Sequence, residues 1–298
     1  MLERTILHAE VVYDGLGTPR EDAAVVVQDD GTRRQVIAVE SLARARESFP
    51  DAGESDAGFA LSPAPVNAHT HLDLSGMAFE AGSYDAFVRA VIRHRRDQAH
   101  TPHTVSGPLL TRLARLARGE RLPMQIHVAE TADERTLHGR GEGPLAALLA
   151  EFGVAWRGSG ASPVGYLESL GVLDAAPTLV HMVHVDDADV RAVQRAGCAV
   201  VHCPRSNEAL GCGRFPWELY ARFGVDVAFG TDSRGSSPSL AVTEEVAFSR
   251  TLHGGKANPR ALVRAAVKGG YRALGMTPPR FTRGAPADAV FVWPVSTV

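Results

Sequence analysis

The chain has 298 residues, 45% of them hydrophobic and 22% charged, with a formal net charge of −3. That length and composition suit one large α/β domain with a small appendage, and exclude a disordered or fibrous chain. The weakly acidic balance and lack of a long Lys/Arg run argue against nucleic-acid binding, and no apolar run reaches the roughly 18 residues of a membrane helix.

No secretory pattern opens at Met1-Leu2-Glu3-Arg4, and Cys198, Cys203 and Cys212 form an odd set without CxxC spacing. The expected setting is therefore a reduced cytoplasm, and the expected partner a small-molecule substrate rather than a membrane.

From the N-terminus, residues 5–13, 23–28 and 35–39 read as short strands of a small β-unit, with Asp29-Asp30-Gly31 turning between the last two. Residues 48–58, rich in Ser, Asp and Gly, read as a surface loop. The next apolar lead-in ends in Pro65-Val66-Asn67-Ala68-His69-Thr70-His71-Leu72-Asp73. On a strand, positions i and i+2 face one side, so His69 and His71 present paired imidazoles suited to a divalent metal.

A helix is expected around residues 84–96, with Phe87, Val88, Val91 and Ile92 at helix-face spacing. Ser106 reads as the N-cap of another helix, with Pro108 in its first turn, Leu109, Leu110, Leu113 and Leu116 on one face, and its stop at Gly119. Residues 123–131 form the next buried strand, containing His127 and Glu130, and Ser162-Pro163 opens a short helix.

Strand-like and helical stretches then alternate. Residues 178–184 precede a helix from about Asp187 to Ala196, and residues 199–204 precede one near 216–223. Residues 225–232 lead into a helix starting near Leu240. Repeated β-then-α units with polar residues at the strands' C-terminal ends describe a parallel α/β fold, and in a (β/α)8 barrel those ends form the active-site mouth. His69, His71, His127, His181, His202 and Asp232 are all expected to converge there. Cys203 reads as a small buried filler and His184 as a packing residue. His94, His138 and His253 fall in no pattern and are expected at the surface.

The strings NAHTHLDL, IHVAET, LVHMVH, VHCPRSN and FGTDS resemble the amidohydrolase superfamily, in its mononuclear nucleobase- and nucleoside-deaminase group. The likeness covers nearly the whole chain and implies a TIM barrel with a small β-sandwich unit built from both termini. That division gives 1–60 plus 284–298 for the small unit and 61–283 for the barrel. The family's metal ligands fall on His69, His71, His127 and Asp232, its acid/base glutamate on Glu130 and its strand-6 histidine on His181. With no lysine in the strand-4 position, the resemblance implies one Zn²⁺ per chain, with Fe²⁺ as an alternative occupant. His100 matches the family's substrate-contacting histidine, and Arg205 and Asn207 are expected to line the pocket. Within the group, NAHTHLDL, CPRSN and AAVKGG are most similar to the aminodeoxyfutalosine deaminases of an alternative menaquinone pathway. Such a resemblance implies hydrolytic removal of ammonia from a 6-aminopurine nucleoside derivative.

The residue chemistry supports these roles independently. Three imidazoles and a carboxylate on Zn²⁺ leave a position for water, whose pKa falls to roughly 7. Glu130 could then pass a proton to the substrate's ring nitrogen, while His181 steadies charge on the water-derived oxygen.

One departure stands out. Eight βα units in about 250 residues use roughly 125 between strands 1 and 5, yet His71 and His127 are only 56 apart. The shortage lies between Met77 and His100. The expected barrel is therefore short of about two βα units, with exposed edges through which copies of the chain can associate.

Overall fold

The structure, a computed structural model, describes residues 2–15, 18–71 and 101–298. The helix expected over residues 84–96, together with His94 and His100, lies outside them.

The N-terminal strands and the C-terminal strand build one sheet. It contains β1 (Glu3–Val12), β2 (Arg20–Asp29), β3 (Arg34–Ser41), β4 (Gly53–Asp56), β5 (Ala60–Pro63) and β12 (Val290–Trp293). The order is β12-β5-β1-β2-β3, with β4 pairing β1. Strand β2 alternates as the period of two requires. Ala24 and Val26 pack on Ala45 of the helix Leu42–Ser48, whereas Val25 and Val27 pack towards Phe281. The far edge of the sheet curls back towards β12: Val36 N–H donates to Ala285 O and Gly284 N–H to Val36 O, both at 2.8 Å. The expected loop at 48–58 also contains β4, whose four residues are all exposed. It pairs in parallel with β1 through backbone hydrogen bonds, which leave no side-chain pattern to read.

The larger unit carries an arc of parallel strands. The sheet β10-β9-β8-β7 comprises β7 (Gln125–Val128), β8 (Thr178–His181), β9 (Val200–His202) and β10 (Val227–Phe229). Beside β10 runs the HxH segment: Ala68 N–H donates to Phe229 O, and β6 (Thr70–His71) pairs β11 (Asp232–Ser233). Inside the arc lie small side chains, among them Ala68, Val180, Val201, Cys203 and Ala228. Outside, Leu179, Val200 and Phe229 meet the helices in the principal apolar core.

The helix Gly107–Glu120 departs from expectation in two ways. Leu110 packs inward with Ala114 and Ala117, while Leu109, Leu113 and Leu116 are 45%, 41% and 53% exposed. The alanines let the helix approach closely, so the leucines four and seven residues on from Leu109 form an outer stripe. It also runs past Gly119 and ends where Arg121 turns left-handed, at φ 54°.

Candidate metal centre and active site

His69, His71, His127 and Asp232 meet at the C-terminal ends of the strands, their ligand atoms all within 4.8 Å of one another. The Nε2 atoms of the three histidines are mutually 3.0 Å apart. Asp232 Oδ1 lies 3.3 Å from His71 Nε2 and 3.7 Å from His69 Nε2. Donor atoms at these separations can each lie about 2.0–2.2 Å from one shared ion, so the spacing suits zinc.

Protonation gives a second test of fit. Gln125 Nε2 donates to Ala68 O at 2.9 Å, which turns its Oε1 towards His69 Nδ1 at 3.1 Å. His69 therefore carries its proton on Nδ1 and points the lone pair of Nε2 at its neighbours. A buried lone pair aimed at two further imidazoles and a carboxylate calls for a shared cation.

Gln125 was not singled out from the sequence, although the signal existed, because it lies two residues before His127 and shares its strand face. Replacing it by leucine should weaken divalent-metal affinity about 10- to 100-fold by releasing His69. A competition titration with a chelator checks this, and unchanged affinity would remove Gln125 from the site.

Asp232 is 3% exposed. Burial works against its charge, but the imidazoles of His69, His181 and His71 outweigh it and hold the carboxyl well below the usual carboxylate range. Its Oδ2 takes Ser206 Oγ at 2.6 Å, with Ser236 Oγ 3.3 Å away. Gly230 allows the approach of these strands: a Cβ there would stand 2.8 Å from both His69 Cβ and Val201 Cγ1.

Glu130 and His181 complete the group. Glu130 Oε1 is 3.6 Å from His181 Nε2, and both residues are buried. Alternation along β8 sends Leu179 outward and Val180 inward, which would turn His181 away from the centre. Instead the backbone becomes left-handed at His181 (φ 72°) and Met182 (φ 50°), and the ring lies 5.3 Å from that of His127. Ala129 (φ 54°) and Asp232 (φ 58°) share this conformation. Such strained non-glycine positions cluster at functional sites. Burial lowers the His181 pKa, against the opposing pull of Asp232 and of the Asn207 hydrogen bond.

Several expectations need correction. Asn207 contacts His181, accepting at Oδ1 from its Nδ1 at 2.8 Å, and is only 1% exposed. It orients that imidazole instead of lining a pocket. Arg205 turns away, its guanidinium on Glu244 and its backbone N–H on Glu245. His202 is not at the centre. Next to inward Val201 it faces outward, stacked on Phe215 at 4.1 Å and paired with His253 at 3.2 Å. His253 and His138 are accordingly 2% and 0% exposed, not on the surface. Cys203 is the expected filler, and His184 packs by hydrogen-bonding Cys212 O at 2.6 Å.

Comparison with known proteins decides the family. The amidohydrolase family profile matches residues 95–295. An aminodeoxyfutalosine deaminase of Deinococcus radiodurans is 36% identical over 383 aligned residues, covering 98% of this chain and 90% of that protein. The chain belongs to the amidohydrolase family.

A 5-methylthioadenosine/S-adenosylhomocysteine deaminase of Pelotomaculum thermopropionicum is 31% identical over 59% of this amidohydrolase and 38% of its own length. The crystal structure of Helicobacter pylori aminofutalosine deaminase superposes with a TM-score of 0.72 at 15% identity, covering 96% of this chain and 90% of that one. It supports the α/β barrel-type fold of this amidohydrolase. Because the Deinococcus alignment is 383 residues long and the chain has 298, at least 85 aligned positions face no residue here.

Proposed function

We propose that this amidohydrolase is a cytoplasmic, zinc-dependent deaminase of a 6-aminopurine nucleoside derivative, with aminodeoxyfutalosine as substrate and menaquinone biosynthesis as its setting. The observation that carries the reading is the placement of Glu130 and His181 beside the three-histidine, one-aspartate cluster. A hydrolase that expels ammonia must protonate a ring nitrogen as water adds to the adjacent carbon, and the pair is set to handle those protons. The substrate assignment is supported by the end-to-end likeness to the Deinococcus enzyme.

His69, His71, His127 and Asp232 would hold one zinc ion. When bound, it supplies a water whose pKa is lowered to roughly 7. Glu130 accepts a proton from the attacking water and delivers it to the ring nitrogen. His181, whose Nδ1 proton is held by Asn207 Oδ1, turns the lone pair of Nε2 to the site, where it accepts a hydrogen bond from the attacking water and orients it. Asp232, charged in this setting, takes protons on their way to the departing amine.

Purified enzyme should release ammonia from aminodeoxyfutalosine faster than from adenosine, S-adenosylhomocysteine, 5-methylthioadenosine or guanine. Preference for one of the others would move the enzyme to a sister specificity, and no ammonia from any would end the deaminase reading. His127→Ala should hold one metal equivalent fewer than wild type, and an unchanged content would remove His127 from the ligand set.

The same reading makes the larger unit a barrel short of about two βα units, supported by the 56-residue span from His71 to His127 and by the unmatched alignment positions. The small unit, expected over 1–60 with 284–298, extends to Pro63 in this reading, because β5 (Ala60–Pro63) pairs with β1 and β12. A non-catalytic metal-binding remnant is the competing reading, and the substrate panel separates it from the deaminase.

A further inference from the structure

A second group of metal-type donors lies behind Glu130, outside the cluster described above. Glu134 and His138 sit one turn apart on the helix Ala132–Arg140, so both project from one face. His103 faces them from the turn closed by the Thr104 N–H bond to Thr101 O. One ligand atom from each of the three lies within 4.8 Å of the others, and Glu134 Oε1 is 4.0 Å from His103 Nδ1. Exposures of 8% for His103, 2% for Glu134 and 0% for His138 put the group in the interior.

What sets this group apart is unspent hydrogen-bonding capacity. Among the described residues, both ring nitrogens of His138 and Oε1 of Glu134 are buried with no hydrogen-bond partner. Native interiors rarely leave such atoms unpaired, because each has given up water for nothing in return. The rings of Trp156 and Tyr166, 4.8 and 5.1 Å from that of His138, wall the space without filling the need.

We propose that His103, Glu134 and His138 form a second, structural site for a divalent transition metal of the zinc class. Two imidazoles and one carboxylate are a donor set that zinc accepts, with water in the fourth position. Bonds of about 2.0–2.1 Å would bring the donors to roughly 3.3 Å from one another, so binding draws Glu134 and His103 together by less than 1 Å. Burial holds the Glu134 carboxyl up at about 8 and the His138 imidazole down at about 4. The imidazole is thus neutral with a free lone pair, and an entering ion displaces the carboxyl proton to solvent.

The site would act on the catalytic group through the backbone at the end of β7. Glu134 Oε2 accepts the backbone N–H of Glu130 at 2.8 Å. An ion fixing the other oxygen of Glu134 would tie the end of β7 to the helix that follows it. Glu134 is a positioning residue in this arrangement, and the ion takes no part in the reaction.

Elemental analysis after saturation with zinc chloride and gel filtration tests the proposal. Wild type should hold two equivalents per chain, and His138→Phe, which keeps an aromatic ring against Trp156 and Tyr166, should hold one. Glu134→Gln, which retains an acceptor for Glu130 N–H, provides a second variant with the same expected loss, and circular dichroism confirms that each is folded. Wild type with one equivalent that His127→Ala abolishes would overturn this site and leave the metal centre of the proposed function intact. Wild type with one equivalent that His138→Phe alone abolishes would do the reverse. Folded variants that both keep the wild-type content would likewise overturn it.

Discussion

Replacing Glu130 with glutamine should leave metal content unchanged and lower deaminase turnover by about 10²-fold or more, the ordinary scale of general acid/base catalysis. The substitution keeps the shape of the side chain and removes only its ability to exchange a proton. Glu130 is not among the clustered donor atoms of His69, His71, His127 and Asp232, so the ion should stay. Its backbone N–H still meets Glu134, so the strand end should hold its place. Single-turnover ammonia release, measured beside metal analysis of the same sample, checks both halves. Turnover within a few-fold of wild type, with metal bound, would mean that protons reach the ring nitrogen without this carboxylate.

The largest expected effect on stability comes from Gly269. It ends the π-helical turn Ala265–Gly269, which lies directly against β10. A Cβ at this position would stand 2.0 Å from Val227 O and 2.9 Å from Val227 C. Neither contact is a flexible side chain, so the turn and strand must separate. Backbone conformation is not the obstacle, because φ at Gly269 is −60°, an ordinary helical value. Helix propensity alone would make alanine the better residue by about 1 kcal/mol. Gly269→Ala should nevertheless destabilise the protein by about 3 kcal/mol, at the upper end of the usual overpacking cost. Urea unfolding followed by circular dichroism gives the difference. A variant as stable as wild type, or more so, would show that the close approach is not maintained in solution.

The residues legible from sequence were those whose position follows from one local period. His69 and His71 share a strand face because the side-chain period of a strand is two, and Gln125 and His127 repeat the rule on β7. The same alternation that points His127 inward sends His202 outward beside Val201, so HxH and VVHC look alike as strings and end on opposite sides of the wall. Which face is the inner one is set by closure of the sheet, and closure is not local. His181 shows the opposite case, a position that alternation would exclude and a left-handed backbone restores.

Tertiary structure alone decided the fate of the other polar residues. Arg205 is drawn to Glu244 and Glu245, about 40 residues further on, and no spacing near Arg205 announces those acids. His138 lies on a helix where Leu137 is the only large apolar residue, so its burial against Trp156 and Tyr166 left no amphipathic trace. The outer leucine stripe of residues 107–120 arose in the same way. Period 3.6 shows that Leu109, Leu113 and Leu116 share a side, but small Ala114 and Ala117 give the closer packing against the core. Local periodicity therefore determined which side chains travel together. Contacts between distant segments decided which of those groups are buried, and buried polar groups in particular depend on partners that only the folded chain supplies.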